Sequence, residues 1–112
     1  MKSHSVFKYD ADLKRWFSCN SIRYGRADFT CLSSMYSSNI YVFGGADGEE
    51  QSRIIEKYDS ILDIWTILPY KIPISFLSKN NQILMLQTPN DPFNILSFSG
   101  SSGLESKTDN II

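Results

Sequence analysis

Residues that favour helix are scarce in this 112-residue chain, which holds three alanines and four glutamates. Histidine is scarcer still, with His4 alone. Cysteine occurs twice, at Cys19 and Cys31, and never as C-x-x-C. No apolar run approaches the roughly 20 residues that span a bilayer. The opening stretch MKSHSVFKYDADLKRW lacks the apolar segment of a secretory signal. No N-x-[S/T] sequon occurs. Neither sign of charge dominates: the net charge is -1, and the cations are scattered.

Each scarcity excludes something. Structural zinc and copper centres draw on Cys and His ligands that this chain does not own, so no metal and no cofactor is expected. His4 reads as an exposed N-terminal residue. A cysteine nucleophile needs a histidine base, and His4 is far from Cys19 and Cys31 in sequence. No carboxylate spacing suggests a glycosidase. No catalytic residue is assigned, and the chain reads as a non-enzyme. Without a basic stripe or apolar span, neither a nucleic acid nor a membrane is expected as partner. Two cysteines are too few for a disulfide framework. Buried or half-buried thiols in a reducing compartment, the cytoplasm or nucleus, are the expectation.

What is present is aromatic: 13% of the residues, which favours strands. Strands are expected at Ser5–Asp10, Arg15–Cys19, Asp28–Ser33, Ile40–Gly45, Arg53–Asp59 and Ile64–Pro69. Further strands are expected at Ser75–Lys79, Gln82–Gln87 and Phe93–Ser99. No helix is expected. Turn signals fall between them at the spacing of an antiparallel all-β sandwich or propeller. The continuous run Ile40–Phe43 suits a strand buried on both faces. From Gly100 onward the chain is polar and reads as a frayed tail, with a last strand near Ile111 and Ile112.

An internal repeat sharpens this. KYDADLKRW (8–16) and KYDSILDIW (57–65) share K-Y-D-x-x-L-x-x-W without a gap. Trp16 and Trp65, the only tryptophans, lie 49 residues apart. Physically, Tyr9 and Tyr58 end a strand, and Asp10 and Asp59 start a turn by accepting backbone N–H bonds. Trp16 and Trp65 then enter the returning strand and fill space between packed sheets. A unit of this size cannot bury its faces alone and must stack on copies.

The stretch Gly44-Gly45-Ala46-Asp47-Gly48 invites a phosphate-loop reading. It lacks the G-x-x-x-x-G-K-[ST] spacing, and Glu49 and Glu50 would repel phosphate. Glycines that let the backbone bend and approach a neighbour are the better account.

With IYVFGG, then EKYD, then IW in order, the sequence resembles the kelch repeat, whose units of about 50 residues form four-stranded propeller blades. The family pattern falls on Ile40–Phe43, Gly44, Gly45, Tyr58 and Trp65. The resemblance implies an all-β, kelch-type β-propeller, incomplete at about two blades. Residues 1–19 correspond to the closing strands of one blade, 24–69 to a complete repeat, 74–99 to a degenerate partial one, and 100–112 to a polar tail. The third unit departs from the pattern: Ile83–Leu86 runs into Gln87-Thr88 instead of Gly-Gly, Phe98-Ser99 replaces Tyr-Asp, and no Trp follows. A propeller needs about 4–8 blades, so a piece of a larger protein is expected, or self-association through open blade edges.

The resemblance implies a protein–protein interaction module, with partners on the loops at Ile22–Asp28, Ala46–Ser52 and Tyr70–Ser75. Arg23, Tyr24 and Arg26 are the candidates on the first loop, with Arg26 as a contact arginine. Asp47, Glu49 and Glu50 are the candidates on the second. Kelch proteins often serve as ubiquitin-ligase adaptors or cytoskeletal binders, but the adaptor role needs a BTB domain or F-box, and the 112 residues contain neither. The alternatives are a nonfunctional partial copy and a remnant of a galactose-oxidase-like enzyme. The latter is disfavoured because that copper site needs two histidines.

Overall fold

The computed structural model describes residues 3–77, 81–88, 91–99 and 106–110. Two turns set its plan. Asp10 Oδ1 accepts from the N–H groups of Asp12 and Leu13, both at 2.9 Å. Asp59 Oδ1 accepts from Ile61 and Leu62, both at 3.0 Å. Each turn closes on a left-handed residue, Lys14 at φ 54° and Asp63 at φ 57°. The returning chain then pairs Tyr9 with Trp16 and Tyr58 with Trp65. Their ring centroids lie 5.2 and 4.6 Å apart. The repeat in sequence is a repeat in geometry.

The first turn joins β1 (Val6–Asp10) to β2 (Arg15–Cys19) in a two-stranded ribbon. The second lies in a four-stranded antiparallel sheet. Its strands, in spatial order, are β3 (Thr30–Ser33), β4 (Asn39–Phe43), β5 (Ile54–Asp59) and β6 (Ile64–Lys71). A third sheet holds β7 (Asn81–Thr88), β8 (Asp91–Ser99) and β9 (Ser106–Asn110), also antiparallel. The fold is all-β, a complete four-stranded blade between two shorter sheets.

Strand β4 is buried over three successive residues, Tyr41, Val42 and Phe43, so both faces of the blade are covered. On one face Tyr41, Phe43, Ile55, Ile72 and Phe76 join Ile95 of the third sheet. Full burial of such side chains is worth about 1.5–3 kcal/mol each. On the other face Ile40, Val42 and Tyr58 look toward Val6, Cys19 and Ile22, across a cleft of about 540 Å³. Both thiols line that cleft and neither is bridged. Cys31 is an exposed residue rather than a half-buried one, although burial pushes its thiol pKa up.

Four elements differ from the sequence expectation. The loop after the glycines contains a single helical turn, α1 (Glu49–Ser52). Gly48 at φ 95° lets the chain enter it, and Ser52 N–H donates to Gly48 O at 3.1 Å. Two glutamates in its first turn suit the helix dipole. Residues Ile74–Leu77 form a 3-10 turn instead of a strand. Pro73 has no N–H to give a ladder, and its carbonyl takes the Phe76 N–H at 2.9 Å, dropping Phe76 into the core. The strand expected from Asp28 begins at Thr30, because Asp28 is left-handed at φ 53°. The polar segment after residue 100 contributes β9, paired with β8 from Asn94 to Phe98. Ile111 and Ile112 lie outside the described residues.

Gly45 is the tightest point of the blade. A Cβ there would sit 2.0 Å from Ala27 O, at φ 67°. At Gly48 the added atom meets nothing within 4 Å. Gly48→Ala should therefore cost only its backbone strain, about 1–3 kcal/mol. Gly45→Ala should cost distinctly more, since backbone must move. Urea unfolding midpoints of the two variants check the order.

Candidate functional site

At one end of the blade three segments meet: residues 20–29, the connection between β4 and β5, and the chain leaving β6. Glu56 fastens the first to the sheet. It sits in β5 beside fully buried Ile55 and is itself fully buried. Its carboxylate accepts from Arg23 N–H at 2.9 Å and Tyr24 N–H at 3.4 Å. It also accepts from Arg26 Nε at 3.3 Å and Nη2 at 3.0 Å. Arg26 gives two further N–H groups to Gly44 O and Ile54 O, both at 3.0 Å. A buried charge is tolerable only when so paired.

This revises the expectation for Arg26. It is 5% exposed, and its guanidinium is committed inside the blade. From there it holds the surface loops from beneath.

The second segment is held by Ser52. Its hydroxyl accepts from Ala46 N–H and donates to Ala46 O, both at 3.1 Å. Its carbonyl takes Gly44 N–H at 2.8 Å. The third is tied to Arg53: Ile72 N–H donates to Arg53 O at 2.8 Å, and Arg53 Nε donates to Ile72 O at 2.8 Å. Glu50 bonds Lys71 Nζ at 2.7 Å and Arg53 Nη1 at 3.2 Å. The Lys71 hydrogen bond, then its charge and Arg53, hold the Glu50 carboxyl below the usual range. Salt screens such exposed pairs.

These segments surround a cleft of about 580 Å³. Asp28 and Glu49 stand among its walls with Gly44, Gly45 and Gly48, while Phe76, Leu77 and Ile83 give it an apolar side. Asp47 and Glu50 are exposed beside it. Arg23 is exposed and Tyr24 half-buried on the adjoining loop, the guanidinium 5.9 Å from the ring. They do not line the cleft. The structure thus gathers Asp47, Glu49 and Glu50 at one corner, sets Arg23 and Tyr24 apart, and buries Arg26. Asp28, Phe76 and Leu77 were not singled out from the sequence.

A second joint lies in the turn beyond β5. Asn20 N–H donates to Asp63 Oδ1 at 2.9 Å, and Asn20 Nδ2 to Asp63 O at 2.6 Å. Trp65 Nε1 donates to Asn20 O at 2.9 Å, and Tyr58 OH to Asp63 Oδ1 at 2.7 Å. Asn20 N–H first, and Tyr58 OH second, hold the Asp63 carboxyl below its usual range. Burial, then the neighbouring Cys19 and Asp63, push the Tyr58 hydroxyl far up.

The family model described as the Kelch motif matches residues 30–71. Over those 42 of its 112 residues the chain is similar to a kelch repeat. The match begins and ends with the four-stranded sheet, so Glu56, the glycine pair and the Tyr58–Trp65 contact all belong to the kelch repeat itself. Arg26 and Asn20 reach it from the segment before. Among the described residues, no three His, Cys, Asp or Glu side chains gather as a metal site. No described helix is long and apolar enough to cross a membrane.

Asp63 makes the joint sensitive to acid. Its folded-state pKa is depressed, so its contribution is full above the ordinary aspartate value near pH 3.9 and is lost as pH falls through the lower folded value. Asp63→Asn should therefore flatten the fall in stability below about pH 4. Urea midpoints of both proteins across the acid range measure this.

Proposed function

We propose that this chain is a non-catalytic protein–protein interaction module that works through the loop end of its kelch repeat. The carrying observation is the cleft of about 580 Å³, apolar at Phe76, Leu77 and Ile83 and acidic at Asp28 and Glu49. Its walls are backbone held by Ser52, Arg53 and the Arg26–Glu56 pair, so little ordering is left for binding to supply. An apolar pocket with a charged edge favours a peptide bearing one apolar side chain next to Lys or Arg. The same edge disfavours nucleic acid and anionic membrane. Asp47, Glu49 and Glu50 are the contact carboxylates in this reading, and Arg23 and Tyr24 extend the surface on the neighbouring loop. Two unbridged cysteines support a reducing compartment, with the cytoplasm as the working assignment.

Peptide selection by phage display against the whole chain tests this. Selected peptides should pair Leu, Ile or Phe with Lys or Arg. Their affinity should drop at least about 10-fold in Asp28→Lys plus Glu49→Lys, roughly 1.4 kcal/mol. Peptides without basic residues, or binding indifferent to both reversals, would contradict the assignment.

A further inference from the structure

The loop cleft takes one end of the four-stranded blade, and the opposite end carries a surface of another kind. Asn39 of β4 pairs with Asp59 of β5, so the turns beyond them, residues 34–38 and 60–63, lie side by side at that end. The N–H and the hydroxyl of Ser60 fasten the turns together, donating to Ser38 O at 3.1 and 2.8 Å. On this scaffold stand Met35 at 82% exposed, Tyr36 at 56%, Ile61 at 80% and Leu62 at 64%. Ile64, opposite Asp59 at the start of β6, is 51% exposed.

The turns are made by backbone. Asp59 takes the N–H groups of Ile61 and Leu62, and the Ser34 hydroxyl takes the Tyr36 N–H at 3.2 Å. Any residue but proline supplies an N–H, and turns favour Gly, Asn, Asp and Ser. The internal repeat shows the same departure twice. Leu13 holds the place of Leu62 in the Asp10 turn and is 61% exposed.

The surroundings are nearly uncharged. Residues 33–38 read SSMYSS and 60–70 read SILDIWTILPY, with Asp63 as the one charge. Asp63 already accepts from Asn20 and Tyr58, and Asp59 beside it from its own turn. Such a patch holds no charge to select an acidic or basic partner. Meeting its own copy, it sets no like charges against each other. Serine hydroxyls both donate and accept, so a rim of them complements itself.

We propose that this turn end is a homodimer interface. A second copy docks tip to tip about a two-fold axis, with Tyr36, Ile61 and Leu62 of one copy against the same surface of the other. The area suits this. An aliphatic side chain offers on the order of 100 Å², and tyrosine about 150–250 Å². At the exposures above, Met35, Tyr36, Ile61, Leu62 and Ile64 give on the order of 400 Å². That is about half of the roughly 800 Å² per partner in a standard interface, before the serine rim is counted. A two-fold contact uses one patch twice and closes on itself. Both loop clefts then stay open at the far ends. The dimer is thereby bivalent for the peptides proposed above, a consequence that rests on that reading while the dimer itself does not.

Size-exclusion chromatography with light scattering on the whole chain, from about 1 to 100 μM, tests this. The expected mass at the upper end is twice the 12.8 kDa of the chain. Ile61→Lys and Leu62→Ser should each weaken the dimer at least about 10-fold, with an unchanged circular dichroism spectrum. Ile74→Lys, at an isoleucine 52% exposed beyond the other end of β6, should leave the dimer intact. A monomer at every concentration overturns the proposal, as does a dimer untouched by both turn variants or one lost equally in Ile74→Lys. Sedimentation with neutral phosphatidylcholine vesicles is the second arm. Co-sedimentation of the native chain that Ile61→Lys abolishes would assign the turns to a lipid surface and overturn the dimer. Mass reads the turns and peptide selection reads the loop cleft, so either assignment fails alone.

Discussion

A carboxylate with no solvent-exposed surface organises this molecule. Glu56 lies in the middle of the blade at zero exposure, where an ion without donors would cost several kcal/mol. The chain answers with four N–H groups from one short segment, two from the backbone of Arg23 and Tyr24 and two from Arg26. Meeting that demand fixes the path of residues 23–26. Arg26 then reaches Gly44 O and Ile54 O, which frame the loop between β4 and β5. The same approach brings Ala27 N–H to Gly45 O at 3.0 Å, leaving no room for a Cβ at Gly45. The position of Glu49 and Asp28 on the cleft is thus inherited from a charge buried under it.

The kelch repeat is joined to what precedes it at two points along β5. One is Glu56, near the strand's start, and it is dry. The other is Asp63, in the turn beyond the strand's end, and it is half-buried. Between them Ile22, Val42 and Tyr58 line the cleft of about 540 Å³. The dry joint responds to the loss of either partner because the other is left as an unpaired buried charge. The wet joint responds to pH and salt.

Much of this was legible in the sequence because it is local. Tyr9-Asp10 to Trp16 and Tyr58-Asp59 to Trp65 are nine-residue patterns whose turns are made by their own aspartates, and the strands follow from alternation and turn spacing. The glycine pair was readable as a bend for the same reason. The pairing of Arg26 was not legible because Glu56 is 30 residues away in another strand. Nothing near Arg26 distinguishes a buried guanidinium from a surface one. The only available signal was Glu56 itself, an acid set among Ile54, Ile55 and Tyr58. The four-residue helix at Glu49 and the 3-10 turn at Ile74 were too short for periodicity to reveal. Strand β9 is held by backbone pairing to β8, and its polar sequence, SKTDN, carries no apolar alternation to announce it.

The claim that the Arg26–Glu56 pair holds the loop end to the blade is best tested by a double-mutant cycle on stability. Arg26→Met and Glu56→Leu should each cost about 3–5 kcal/mol, because each strands a buried charge or its donors. The double variant should cost less than their sum by well over about 0.5 kcal/mol, the limit within which independent sites add. Additivity within that limit would mean the two side chains act separately, and the account of the site built on their pairing would be wrong.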